Sequence, residues 1–311
     1  MTDGSRNMAR RILIVGSNGL LGQRAVAEFA RTDRVSGAAI EPRSVFGDRL
    51  EYHWLDITDA QAVARVLDAV APDVVFNAAA YTQVDRAEDE RELCRAVNVT
   101  GVRNLARACA ERDIFLVHIS TDYVFDGARG DYTEEDEPNP VNFYGRSKLE
   151  GEWAVLESGC RYLIARTAVL YGTGKNIAEN FATWVIRALH SGETIRVVDD
   201  QIGNPTLADD LAAAVHRLLD QQAAGLYHVA GSEPISRYDF ARAVAQIFGL
   251  DRGEIVRIKT KDFPQRAKRP LNVSLNVSRV HREFGVQLGD VASSLRRLKE
   301  RLQQGEANRL I

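Results

Sequence analysis

Short apolar runs alternate with longer amphipathic stretches along the first 170 or so residues. Arg11–Val15 reads RILIV, a nearly unbroken apolar run of the kind that a strand buried on both faces requires. It leads directly into Gly16-Ser17-Asn18-Gly19-Leu20-Leu21-Gly22, after which the pattern predicts a helix over Gln23 to Arg31. Further strands are predicted at Val35 to Ile40, Asp73 to Phe76, Ile114 to Ile119 and Tyr162 to Val169. Helices are predicted over Ala60 to Val70, Glu88 to Val97 and Val102 to Arg112, and another begins near Asn142. Later come a helix over Asn180 to His190, a strand at Ile195 to Val198, a helix over Leu207 to Leu219 and a strand at Leu226 to Ala230. A helix over Tyr238 to Phe248 and a charged, exterior helix over Val291 to Gln303 complete the set.

Strand–helix alternation of this kind predicts an α/β fold, a Rossmann-type doubly wound parallel sheet, with a smaller C-terminal substrate-binding lobe. The larger body is assigned to residues 11–171 with about 207–231. The lobe takes about 172–206 with 232–311, and residues 1–10 form a loose tail.

Three strand ends carry the chemistry. The first is the G-x-x-G-x-x-G turn at 16–22, where glycines admit a diphosphate to the backbone and a helix N-terminus attracts its charge. The second is Asn77-Ala78-Ala79-Ala80-Tyr81, small residues that leave room for a ligand. The third is Ser120-Thr121-Asp122. In an open parallel sheet these ends share one edge, where ligands bind. Tyr144 and Lys148 are four apart and lie on one helical face. A cation close to a phenol lowers its pKa from about 10 toward working pH, and Thr121 can orient a carbonyl oxygen toward Tyr144. After the second strand, Glu41-Pro42-Arg43 offers an acid for the ribose hydroxyls of NAD and an arginine for the 2′-phosphate of NADP. The reading favours NADPH on Arg43, with NADH as the alternative. Asn98 either ties loops together or lines the cleft.

Composition narrows the classes. The chain has 311 residues, a net charge of −3 and a charged fraction of 27%, which gives no electrostatic footprint for nucleic acid. No apolar run is long enough to cross a membrane. Met1 to Arg10 lacks the apolar core of a secretory signal. Three cysteines without a C-x-x-C pair fit a reducing cytoplasm. The six histidines are scattered and no H-E-x-x-H is present, so no metal site is assigned. The acidic run Glu134-Glu135-Asp136-Glu137 reads first as a solvated loop and second as a Mg²⁺ site. A basic stretch from Arg257 to Arg269 reads either as a solvated face or as a site for a diphosphate-bearing substrate, with Arg269 its fixed member.

Seven stretches, in order, resemble the extended short-chain dehydrogenase/reductases, and within them the dTDP-4-dehydrorhamnose reductase family. They are GSNGLLG (16–22), NAAAYTQVDRAE (77–88), VNVTGVRNLA (97–106), STDYVFDG (120–127), PNPVNFYGRSKLEGE (138–152), VVDDQIGNPT (197–206) and AKRP (267–270). The resemblance implies NADPH-dependent reduction of the 4-keto group of a nucleotide sugar, with dTDP-4-dehydro-L-rhamnose the leading substrate. It implies that Gly16, Gly19 and Gly22, with Asn18, Leu20 and Leu21 of the same turn, bind the cofactor diphosphate. Asp56, Ile57 and Ala78, Ala79 and Ala80 would pack against adenosine and ribose. Thr121, Tyr144 and Lys148 would be the catalytic trio, with Tyr144 and Lys148 also meeting the cofactor. Tyr81, Asp122, Tyr123, Asn204 and Arg269 would face the sugar nucleotide. Two departures stand out: GLLG replaces the usual GQLG or GQVG, and Ala168-Val169-Leu170-Tyr171 lacks the aromatic usual near Val169. They leave the exact sugar open, and two alternatives stand beside the reductase. One is a non-catalytic NADP(H)-binding subunit like the regulatory subunit of methionine adenosyltransferase. The other is an epimerase or dehydratase. The oligomeric state stays open, with a homodimer among the options.

Overall fold

The computed structural model describes residues 9–305. Its strands longer than two residues are β1 (Arg11–Val15), β2 (Arg34–Ala39), β3 (Glu51–Trp54), β4 (Val74–Asn77), β5 (Phe115–Thr121), β6 (Tyr162–Thr167), β7 (Thr194–Val198), β8 (Gly225–His228) and β9 (Glu254–Ile258). Its helices are α1 (Leu20–Phe29), α2 (Ala60–Val70), α3 (Arg91–Arg95), α4 (Val102–Glu111), α5 (Phe143–Leu156), α6 (Phe181–His190), α7 (Ala208–Asp220), α8 (Arg237–Phe248), α9 (Ser278–Phe284) and α10 (Val291–Gln303).

Seven strands form one parallel sheet in the order β8-β6-β5-β4-β1-β2-β3. The apolar run of β1 is explained by its two buried faces. Ile12 and Ile14 pack with Phe29 of α1 and Val215 of α7 on one side. Leu13 and Val15 pack with Val63 of α2 and Leu105 of α4 on the other. The chain winds outward from β1 to β3, then restarts at β4 and winds the opposite way. That reversal opens a crevice at the carboxyl ends of β1 and β4, where a doubly wound sheet takes its ligand.

A third core joins α6, α8 and α10 beside the parallel pair β7–β9, through Val185, Ile195, Phe240, Val244 and Leu295. Helix α10, expected to be merely exterior, is amphipathic and buries Val291, Leu295 and Leu298 there. Strand β9 and helix α9 were not predicted. Glu254–Ile258 is only half-buried at best, which blurs its alternation, and α9 spans only seven residues. Val280 of α9 joins the core of the large sheet, not that of the lobe.

The expected loose tail at 1–10 lies outside the described residues apart from Ala9 and Arg10. Arg10 is pinned, pairing with Asp33 at 2.8 Å and Asp220 at 2.6 Å. All three cysteines are buried and unpaired. Among the described residues no helix is long and apolar enough to cross a membrane.

Candidate active site

Helix α1 begins at Leu20, three residues earlier than its apolar pattern suggests, because Gly19 serves as N-cap without any side chain bonded across the first turn. The N–H groups of that turn are therefore left for a ligand, and the helix dipole makes it an anionic one. Gly16 turns the chain at φ 82°, and a Cβ there would sit 2.7 Å from the Ala79 nitrogen. A Cβ on Gly22 would lie 2.1 Å from the Gly16 carbonyl oxygen. Both glycines serve close approach of backbone to backbone.

Two adjoining cavities run along this edge. One, of about 330 Å³, is lined by Gly16, Asp56, Ile57, Ala78, Ala79 and Tyr81. The other, of about 500 Å³, is lined by Gly19, Leu20, Gly22, Thr121, Tyr144 and Lys148. Gly19, Glu41, Ala78 and Ala80 border both. The geometry fits an extended dinucleotide, adenosine in the smaller chamber and nicotinamide in the larger. Glu41 faces it, whereas Arg43 is exposed and borders neither cavity. Asn18 holds this loop, donating to the Arg43 carbonyl at 2.9 Å and accepting from the Val45 N–H at 3.0 Å. The exposed Lys175 donates to the Val45 carbonyl at 3.3 Å, bringing a second cation to the same loop.

The predicted trio converges at the inner end. Asn142 caps α5 by accepting from the Gly145 N–H at 2.8 Å, which aims Tyr144 and Lys148 toward the end of β5. Tyr144 and Thr121 line the same cavity together with Lys148. Thr121 donates to Asp122 at 2.9 Å and accepts from the Tyr123 N–H at 3.2 Å. Lys148 donates to the Ile119 carbonyl at 2.7 Å.

Burial dominates the electrostatics. It pushes Tyr144 above its ordinary value, and the neighbouring Asp122 and Tyr123 add to that. This is the reverse of the expected lowering by Lys148, whose ammonium is anchored on the β5 carbonyl. A raised phenol keeps its proton, which is the form a reduction uses. Burial brings Lys148 down to about 8, opposed by Glu152. Burial raises Asp122 to about 7, against the hydrogen bond from Thr121 and the charge of Arg237. Asp122 Oδ2 is buried without a partner among the described residues.

A third cavity, of about 630 Å³, adjoins the second through Val169 and Leu170. Tyr123 and Arg269 line it, as do Phe181, Trp184, Phe263, Gln201, Arg196 and Arg237. Arg269 is tied to Asp85 at 2.5 Å, and its Nη1 is buried and unpartnered. Val169, between the cavities, has φ 46°. A β-branched residue there carries strain on the order of 1–3 kcal/mol. It is held by the Thr206 N–H on its carbonyl at 3.2 Å.

The family model for the RmlD substrate binding domain matches residues 10–304. The chain belongs to the dTDP-4-dehydrorhamnose reductase family. A dTDP-4-dehydrorhamnose reductase from Mycolicibacterium smegmatis is 40% identical over 88% of this chain and 80% of its own. A probable low-salt glycan biosynthesis reductase from Haloferax volcanii is 38% identical over 88% of this chain and 91% of its own. The crystal structure of the Bacillus anthracis dTDP-4-dehydrorhamnose reductase in complex with NADP is similar with a TM-score of 0.85. It is 34% identical, covering 94% of this chain and 99% of that one.

Within this family frame some expected site residues lie elsewhere. Asn204 is buried, and its carboxamide is taken up by the Gly231 carbonyl at 2.8 Å and the Leu275 N–H at 2.8 Å. It lines none of the three cavities. Tyr81 lines the adenosine chamber instead of the sugar side, its hydroxyl donating to Glu90 at 2.6 Å. Asn98 ties loops together, accepting from the Tyr81 N–H at 2.8 Å and donating to Ser147 at 2.9 Å. The acidic run disperses: Glu134 accepts from the His228 N–H, while Asp136 pairs with Arg129. No group of three or more metal-ligating side chains exists among the described residues, so the Mg²⁺ expectation finds no support.

Sequence reasoning missed Arg237, the first residue of α8. It lies over the Phe181 ring at 5.1 Å and lines the third cavity beside Tyr123, whose phenol its charge lowers against burial. A cation at the positive end of a helix is unfavourable, and that misplacement was the available signal.

Proposed function

We propose that this chain reduces the 4-keto group of dTDP-4-dehydro-L-rhamnose, giving dTDP-L-rhamnose, with NADPH as hydride donor. The supporting observation is that Thr121, Tyr144 and Lys148 line one cavity, which adjoins the third through Val169 and Leu170. Bound NADPH supplies the hydride for the sugar carbonyl carbon. Tyr144 holds its proton at the carbonyl oxygen and releases it as that oxygen gains charge, a contribution of about 10²–10⁴-fold. Thr121 fixes the oxygen against Tyr144. Lys148 keeps a positive charge under the developing phenolate. On the sugar-nucleotide side, Arg237 and the free Nη1 of Arg269 face the diphosphate, and Phe181, Trp184 and Phe263 offer planar surfaces for the base. Arg43 and Lys175 favour the 2′-phosphate of NADPH.

The test is oxidation of NADPH, then NADH, by the purified chain supplied with dTDP-4-dehydro-L-rhamnose, with the product identified. Rapid oxidation and dTDP-L-rhamnose are expected. NADPH binding without turnover would overturn the reading in favour of a regulatory subunit. A selectivity for NADPH unchanged in Arg43→Ala would remove Arg43 from it.

A further inference from the structure

Beneath the trio lies a buried charge cluster that the chemistry above leaves unused. Glu152 is 1% exposed, one helical turn beyond Lys148 on α5, so both project from the same face. Its carboxylate accepts from Arg166 Nε at 2.9 Å and from Nη2 at 2.7 Å, a bidentate pair. It also accepts from the Ser120 hydroxyl at 2.5 Å. Ser120 and Arg166 are register partners across β5 and β6, so the two strands present both donors to the helix together. Ser120 directly follows Ile119, whose carbonyl receives the Lys148 ammonium. Arg166 is itself backed by the Phe125 ring at 5.1 Å.

Burying two cations, Lys148 and Arg166, beside one carboxylate is costly unless the carboxylate serves both. A pair needed only for packing could be apolar at no loss of stability. We propose that Glu152 is a positioning residue: clamped by Ser120 and Arg166, it keeps the Lys148 ammonium, anchored on the Ile119 carbonyl, charged under Tyr144. This deepens the reductase reading and rests on it for its catalytic meaning. The other groups around Lys148 do not replace Glu152. Cys94 is a buried thiol kept protonated by desolvation. His118 is buried, neutral and bonded to Asn77 at 3.1 Å. Tyr144 keeps its proton, Arg166 is of like charge, and Asp122 engages Thr121 on the far side of the trio.

The chain has six lysines: Lys148, Lys175, Lys259, Lys261, Lys268 and Lys299. The titration of Lys148 is therefore readable by NMR of lysine labelled at Cε, assigned with Lys148→Met. This readout needs no turnover, so its failure is distinct from failure of the reductase assay. Glu152→Gln removes the counter-charge and is expected to move the Lys148 midpoint down by roughly one pH unit or more. Arg166→Gln removes the competing cation and is expected to move it up. In an active enzyme the alkaline limb of kcat/KM follows, in opposite directions in the two variants. If Glu152→Gln fails to fold because Arg166 is left unpaired, Glu152→Asp, with its carboxylate withdrawn, is expected to give the smaller downward shift. A midpoint that stays fixed, or moves the same way in Glu152 and Arg166 variants, overturns the proposal and leaves the cluster a structural one.

Discussion

Two glycines three residues apart in the first turn should fail in different ways when replaced by alanine. At Gly22 the added Cβ would lie 2.1 Å from the Gly16 carbonyl oxygen and 2.7 Å from Ser17 Cα. Both are backbone atoms, and neither can swing aside as a flexible side chain would. Gly22→Ala must therefore shift the turn or the helix, and overpacking of this kind costs about 1–3 kcal/mol. At Gly19 the added Cβ meets only the Gly16 oxygen, at 3.3 Å, yet Gly19 borders both cofactor chambers. Gly19→Ala should leave the apo fold intact and place a methyl where the diphosphate approaches. The assay is thermal unfolding with and without NADPH. Gly22→Ala should lower the apo midpoint by several degrees, at roughly 2–4 °C per kcal/mol for a chain of this order of size. Gly19→Ala should keep the apo midpoint and lose most of the shift that NADPH produces. A wild-type apo midpoint in Gly22→Ala would refute the close-packing argument for that turn.

Tyr144→Phe should retain NADPH affinity and lose turnover by about 10²-fold or more; near-normal turnover in steady-state kinetics would remove Tyr144 from proton transfer. Arg237→Met should raise KM for the sugar nucleotide by about tenfold or more, the order expected for a charge-assisted bond, with NADPH affinity unchanged. An unaltered KM would take Arg237 off the diphosphate. Asp122 has a folded value of about 7 against an ordinary 3.8. Its contribution to stability is therefore fully present below about 4 and is lost as pH rises through about 7. Comparing unfolding of wild type and Asp122→Asn across that window should show the variant relatively more stable at the upper end, and parallel curves would contradict the burial argument.

The large sheet was legible because its strands are buried on both faces. RILIV at β1 and DVVF at β4 declare themselves without any partner in view. The cap at Asn142 was equally local, and it carries Tyr144 and Lys148 with it. What stayed hidden depends on partners distant in sequence. Asn204 sits in a motif that suggests ligand contact, yet its carboxamide stitches Gly231 to Leu275. The two helices around Asn98 join into one run through a π-helical segment, Ala96–Gly101, a register change that hydrophobic spacing cannot reveal. Strand β9 becomes a strand because β7 offers it an edge. Arg237 acquires its role only when α8 is laid against Tyr123.

Val169 closes the wall between the second and third cavities with a backbone that its own side chain disfavours. The residue is fastened from outside, by the Thr206 N–H on its carbonyl. A partition braced in this way behaves as a fixed gauge and not as a gate. A sugar is then sorted by whether it clears the ledge as built. Changes in sugar preference along this lineage should accordingly be written in the side chain at this one position.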